Sequence, residues 1–173
     1  MAIKTFTTGE VLTAADTNTY LANSGLVYIT QATVSGTSTS INNCFTSAFE
    51  NYLINVNIKS ANSAADIKLR LRVGGVDSNG PYDQAGDVAV TGTSVKLGDN
   101  ANSYGFGTIQ LGGPQAADFT VGSILFHGLN SGVAATSFDS TFDADVQTQF
   151  DGFTVFSTAT LTGTMFVYGY RNS

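Results

Sequence analysis

Ile67-Lys68-Leu69-Arg70-Leu71-Arg72-Val73 alternates apolar and basic side chains without a break. Successive side chains of an extended chain point to opposite faces, so this run is a β-strand with one face on a core and the other on solvent. Tyr52, Ile54, Val56 and Ile58 repeat the pattern against Asn51, Leu53, Asn55, Asn57 and Lys59. Phe138, Phe142, Ala144, Val146 and Phe150 alternate with Asp139, Thr141, Asp143, Asp145, Gln147, Gln149 and Asp151. Phe119 to Val121, Ser123 to Phe126, Phe153 to Phe156 and Met165 to Tyr170 add further strands, the first strand starting at Leu26. Loops are marked by Gly74-Gly75, Asn79-Gly80-Pro81, Gly112-Gly113-Pro114 and Asn130-Ser131-Gly132. Many short strands at this spacing predict an all-β fold, a two-sheet β-sandwich of jelly-roll type.

The region before Leu26 differs. Residues 1–12 read as an extended arm, and Thr13 with Asp16 has the spacing of a helix cap, predicting one short helix from Ala14 to Ala22 that ends at Gly25. So short a helix is not stable alone, so Tyr20 and Leu21 need a surface to dock on, whether their own sandwich or another subunit. The chain therefore divides into an N-terminal anchoring arm and short helix, 1–24, and a β-sandwich domain, 25–173, with no internal repeat. Phe6, Val11, Leu12, Tyr20 and Leu21 are the apolar residues with which the arm would attach.

Composition narrows the function. Charged residues are only 12% of the 173, about half the usual share, while β-branched and aromatic residues are plentiful enough to build a core. A net charge of −6 opposes nucleic-acid binding, which needs a basic footprint. The apolar runs are too short for membrane insertion by a helix, and Lys4, Glu10 and Asp16 interrupt any secretory leader, so a cytoplasmic origin is expected. One cysteine, Cys44, allows no internal disulfide, and one cysteine with one histidine is too few for a zinc site. Cys44 reads as a small buried side chain.

No catalytic constellation stands out. His127 follows Ile124-Leu125-Phe126 in a strand, with no nucleophile-elbow spacing around Ser123 or Ser131, and reads as a hydrogen-bonded strand histidine. Asp77-Ser78-Asn79-Gly80 with Asp83 and Asp87 offers oxygen ligands but fails the calcium-loop spacing. Asp143 and Asp145 share a strand face, as a glycosidase pair would, yet an acidic strand face is far more often solvated. Gly105-Phe106-Gly107 has no phosphate-loop context. The expectation is a non-enzyme without cofactors.

Charge is segregated instead. Lys68, Arg70 and Arg72 form a basic stripe and Asp139, Asp143 and Asp145 an acidic one. Like charges two residues apart repel, and the stripes relieve each other if they meet across neighbouring strands or across a subunit boundary. They are accordingly the candidate subunit interface, the alternative being two solvated faces.

The run from Thr5 to Leu21, T-F-x-x-G-E-V-L-T-A-A-D-x-N-T-Y-L, resembles the opening of small structural proteins of tailed-bacteriophage virions. Gly25 to Ile29, Phe45-Thr46-Ser47, Glu50-Asn51-Tyr52 and the closing Val167-Tyr168-Gly169-Tyr170-Arg171 extend the resemblance. It implies a virion protein made in a bacterial cytoplasm, a homo-oligomer and by resemblance a trimer, bound to other tail or capsid proteins. Tail fibre or tail-tip component and capsid decoration (cement) protein both remain open. A second class of function, a carbohydrate-binding module for host-surface glycans, would use loop aromatics such as Tyr82 and Tyr104 as stacking platforms.

Overall fold

A computed structural model describes residues 7–11, 13–16, 25–61, 65–85, 92–98, 104–129 and 135–171. After a one-turn helix α1 (Ala14–Asp16) come β1 (Leu26–Ile41), β2 (Phe49–Ser60), β3 (Ile67–Val73), β4 (Val76–Asp77) and β5 (Tyr82–Ala85). They are followed by β6 (Val95–Gly98), β7 (Tyr104–Gly112), β8 (Thr120–Leu129), β9 (Thr136–Ala144) and β10 (Gly152–Arg171). The all-β sandwich is as the alternation predicts. Of the expected helix from Ala14 to Ala22, only Ala14–Asp16 falls among the described residues.

All ten strands belong to one antiparallel sheet with the path β4-β3-β10-β2-β7-β8-β9-β5, β1 also pairing β10 and β6 pairing β3. The sheet curls into two layers, and β1 and β10 run through both. The first part of β10 lies between β3 (Phe153 opposite Leu71) and the end of β1 (Phe153 opposite Ile41). Its second part lies between the start of β1 and β2, from Leu161 opposite Ser60 to Tyr170 opposite Asn51. Phe153 to Phe156 and Met165 to Tyr170 are thus one strand, because the bend between them keeps the chain in the ladder.

Between the layers lies the core. Tyr52, Ile54, Val56 and Ile58 of β2 meet Ile67, Leu69 and Leu71 of β3, with Val95 and Leu97 of β6 covering Ile124, Phe126 and Phe142 of β8 and β9. β7 inverts the usual pattern near its start: Tyr104 and Phe106 point out while Gly105 and Gly107 point in. Phe126 explains this, since a Cβ on Gly107 would sit 2.6 Å from its ring and one on Gly98 would sit 2.3 Å from it. One large ring fills the space of several small side chains.

Two tyrosines spend their hydroxyls on backbone. Tyr52 Oη accepts from Thr46 N and donates to Thr46 O, both at 2.7 Å, clamping the β1–β2 connection. Tyr82 Oη accepts from Leu71 N at 3.0 Å and donates to Ser78 O at 3.2 Å, tying β5 to β3 where the curled sheet closes. Gln84 strengthens that closure, with Nε2 donating to Lys96 O at 2.7 Å and Oε1 accepting from Lys96 N at 2.9 Å. Because Tyr82→Phe leaves the buried Leu71 N–H without its acceptor, the substitution should cost about 1–3 kcal/mol, measured as a lower urea midpoint with an unchanged m-value. An unchanged midpoint would mean the closure contributes nothing.

Candidate functional site

Since 52, 54, 56 and 58 point inward on β2, residues 51, 53, 55 and 57 point out, and the ladder fixes what stands beside them. One outward row crosses β10, β2, β7, β8, β9 and β5 as Tyr170, Asn51, Gly112, Val121, Asp143 and Asp83. The next row reads Tyr168, Leu53, Gln110, Ser123, Thr141 and Ala85. Gly112 leaves a gap in the first row, where a Cβ would approach Asn51 Oδ1 to 3.3 Å and Val121 Cγ2 to 3.4 Å. Around that gap lies a groove of about 990 Å³, with Tyr170 at one end, Asp83 and Asp143 at the other, and Gln110, Ser123 and Thr141 along its floor.

Asp143 is half-buried there. Loss of hydration raises its carboxyl above the ordinary 3.8, and repulsion from Asp83, directly opposite, and from Asp145 raises it further. The three carboxylates therefore make the acid end of the groove a place where negative charge is costly.

The rest of this face is apolar toward β7 and β8. Tyr104 (51% exposed), Phe106 (42%), Leu125 (43%) and Leu129 (48%) cluster across the two strands, Tyr104 opposite Leu129 and Leu125 opposite Thr108. On β1 and β10, Tyr28 packs edge-on against Tyr168 at 5.8 Å between ring centroids.

The two charge stripes do not meet on neighbouring strands of the chain, because β3 borders β10, β4 and β6, whereas β9 borders β8 and β5. The basic stripe is engaged nearer home. Arg72 pairs with Asp77 and donates to Asn42 Oδ1 at 2.9 Å, Ser40 Oγ at 3.0 Å and Thr154 Oγ1 at 2.7 Å. Thr154 Oγ1 in turn donates to Asp77 at 2.6 Å, so this half-buried network ties β1, β3, β4 and β10 side by side where β10 begins. Arg70 Nε donates to Thr93 O at 2.9 Å, and its guanidinium lies 4.6 Å from the Phe156 ring centroid. Lys68 sits 3.6 Å from Asp66. On the acidic side, Asp139 and Asp143 stand on β9, while Asp145 lies just beyond it, its N–H donating to Pro81 O.

Other sequence candidates fall as follows. Tyr82 is fully buried and committed to the closure, so it is no stacking platform, and burial pushes its phenol up. Tyr104 is exposed but stands in β7 rather than a loop, donating to Asn57 Oδ1 at 3.2 Å. His127 is exposed on the outward face of β8, opposite Phe106 and Ser137. Cys44 is buried as expected, and loss of hydration pushes its thiol up to about 12. Asp77 is held by Arg72, and Asp87 lies outside the described residues.

In the arm, Thr7 to Glu10 form a turn closed by Glu10 N donating to Thr7 O at 3.0 Å and Thr7 N donating to Glu10 Oε2 at 3.1 Å. Val11 is 78% exposed, while Phe6, Leu12, Tyr20 and Leu21 lie outside the described residues. Among the described residues, no group of three or more His, Cys, Asp or Glu side chains is placed to hold a metal ion, and no helix is long and apolar enough to cross a membrane. No protein-family model and no curated protein matches the chain.

The Asp143 carboxyl supplies a pH test. Its folded-state pKa lies above that of the unfolded chain, so the folded form holds the proton more tightly, and stability is lost as pH rises through the folded value. Asp143→Asn should raise the urea midpoint at neutral pH, and the gain should vanish once the pH falls below the ordinary 3.8. A gain that persists in acid would assign the effect to something other than charge.

Proposed function

We propose that this chain is a structural protein of a tailed-phage virion: a β-sandwich that associates with copies of itself and is attached to the particle by its N-terminal arm. The observation that carries this reading is the apolar cluster of Tyr104, Phe106, Leu125 and Leu129 on an outward sheet face. Full burial of such a side chain is worth about 1.5–3 kcal/mol, so covering four half-exposed ones on each of two copies yields several kcal/mol before the cost of association. Charge favours a second copy as the occupant. A chain of net charge −6 repels itself wherever its charges meet, and around this cluster Asn55, Asn57, Thr108 and Ser137 are neutral, while Asp139 stands directly opposite Leu125. The face can therefore meet its own copy with little like-charge repulsion in a contact that keeps the two Asp139 side chains apart.

The end motifs support the virion setting, and the exposed Val11 supports an arm free to bind a neighbour rather than its own sandwich. Tail fibre or tail-tip component and capsid decoration protein both fit a compact sandwich with an attaching arm. Copy number separates them, hundreds per particle for decoration and a small multiple of the tail symmetry for the tail.

Light scattering should find an oligomer, a trimer by the resemblance, for the full chain and a monomer for Leu125→Glu. The variant should melt within about 0.5 kcal/mol of the parent, as surface substitutions usually do. A full chain that stays monomeric would remove the association face. Deleting residues 1–24 should leave a folded sandwich absent from purified virions by mass spectrometry, and its incorporation at normal copy number would remove the anchoring role.

A further inference from the structure

We propose that the groove between Tyr170 and Asp143 is a binding site for an uncharged oligosaccharide. The inference stands on the groove itself and goes beyond the structural role above, since it needs no particular station on a virion.

Size and shape come first. A volume of about 990 Å³ is at the upper end of small-ligand sites. Tyr170 and Asp143 are four strands apart along one row, a span of about 19 Å at the ordinary strand spacing. The groove is thus long and open-ended, suited to a chain of rings rather than to a single compact molecule. Gly112 keeps its middle clear, since an added Cβ there would already press on Asn51 Oδ1 at 3.3 Å and Val121 Cγ2 at 3.4 Å.

The lining chemistry then selects the ligand. Tyr170, 37% exposed, gives one ring face at the groove's end. Asn51 and Gln110 supply amides, each both donor and acceptor, while Ser123 and Thr141 supply hydroxyls with the same dual capacity. Asp143 adds carboxylate oxygens, the acceptors best matched to pairs of hydroxyl donors. A sugar ring presents this complement: hydroxyls that donate and accept around its rim, and C–H faces that pack on an aromatic ring and on Val121. An anionic sugar is disfavoured, because it would bring a further negative charge to a carboxyl already strained by Asp83 and Asp145. An apolar ligand would leave the floor's amides and hydroxyls unpaired.

The test is saturation-transfer NMR followed by titration calorimetry with the full chain. The probes are neutral tetrasaccharides of glucose, galactose, mannose and N-acetylglucosamine, beside a uronate tetramer and a basic glucosamine tetramer. At least one neutral probe should bind and the uronate should not. Gly112→Val should abolish binding by filling the gap, at a position whose backbone lies outside the left-handed region and so accepts a side chain. Tyr170→Ala, an exposed change that leaves the core intact, should weaken it about tenfold. Leu125→Glu, which tests self-association, should bind as the parent does, so the two proposals fail separately. No neutral saccharide bound at millimolar concentration, binding undiminished in both groove variants, or binding of the basic tetramer alone would each overturn the inference.

Discussion

The hydrogen-bond ladder along β10 is the constraint on which the other strands depend. This strand pairs with β1, β2 and β3, and the remaining strands follow from those partners: β4 and β6 on β3, β7 on β2, then β8, β9 and β5 in turn. Side chains alternate with period two, so a slip of one residue in β10 would turn its apolar set toward water and displace every strand registered against it. The register is fixed by what β10 buries. Phe153 and Val155 seal the first layer, and Leu161, Met165 and Val167 the second. Near the start of the strand, between β3 and the end of β1, Thr154 holds Asp77 and Arg72 in place. A polar network at a buried joint is specific in a way apolar packing is not, because each member must find its partner.

That arrangement explains what could and could not be read from sequence. The phase of β2 and β3 was legible because both keep strict alternation, Tyr52 to Ile58 and Ile67 to Leu71 lying on the core side. The unity of β10 was not, since Ser157 to Thr160 breaks the pattern of apolar residues at the bend. The start of β7 was hidden for a different reason. Gly105 and Gly107 give the core side no apolar signal, the space at Gly107 being taken by Phe126, which lies on another strand. The acidic run from Asp139 to Asp145 predicted the right outward phase but overshot the strand. β9 ends at Ala144, and Phe150 reaches the core from the following loop, its N–H donating to Pro114 O.

The candidate site was less legible than the fold, and for a reason general to sheets. A groove across five strands is a property of register, and register is a matter of pairing between segments far apart in sequence. Nothing local to Gly112 distinguishes it from a loop glycine, and the sequence reading did place it in a turn. Its meaning appears only when Asn51 and Val121 stand on either side of it. Tyr170 was prominent in the closing motif, yet its position opposite Asn51 is what makes it the wall of a groove. The charge stripes illustrate the converse. They were conspicuous in sequence, but local partners such as Asp77, Asp66 and the Thr93 carbonyl take up the basic one.

One outward face thus carries two different chemistries in adjoining regions. Toward Tyr104 and Leu129 it is apolar, with Asp139 at its edge, while toward Asp143 and Tyr170 it is indented and acidic at one end. A uniform apolar face would favour association in many registers, whereas the carboxylates of one copy disfavour any docking that overlays them on those of another. In the proposed assembly the acidic end would limit how copies meet at the apolar end. Docking that covers Leu125 while keeping Asp143 in water would satisfy both, and it would leave the groove open to a ligand in the proposed assembly. The proposed self-association and ligand binding would in this way be compatible on a single sheet, the row of Gln110, Ser123 and Thr141 lying between Gly112 and Leu125.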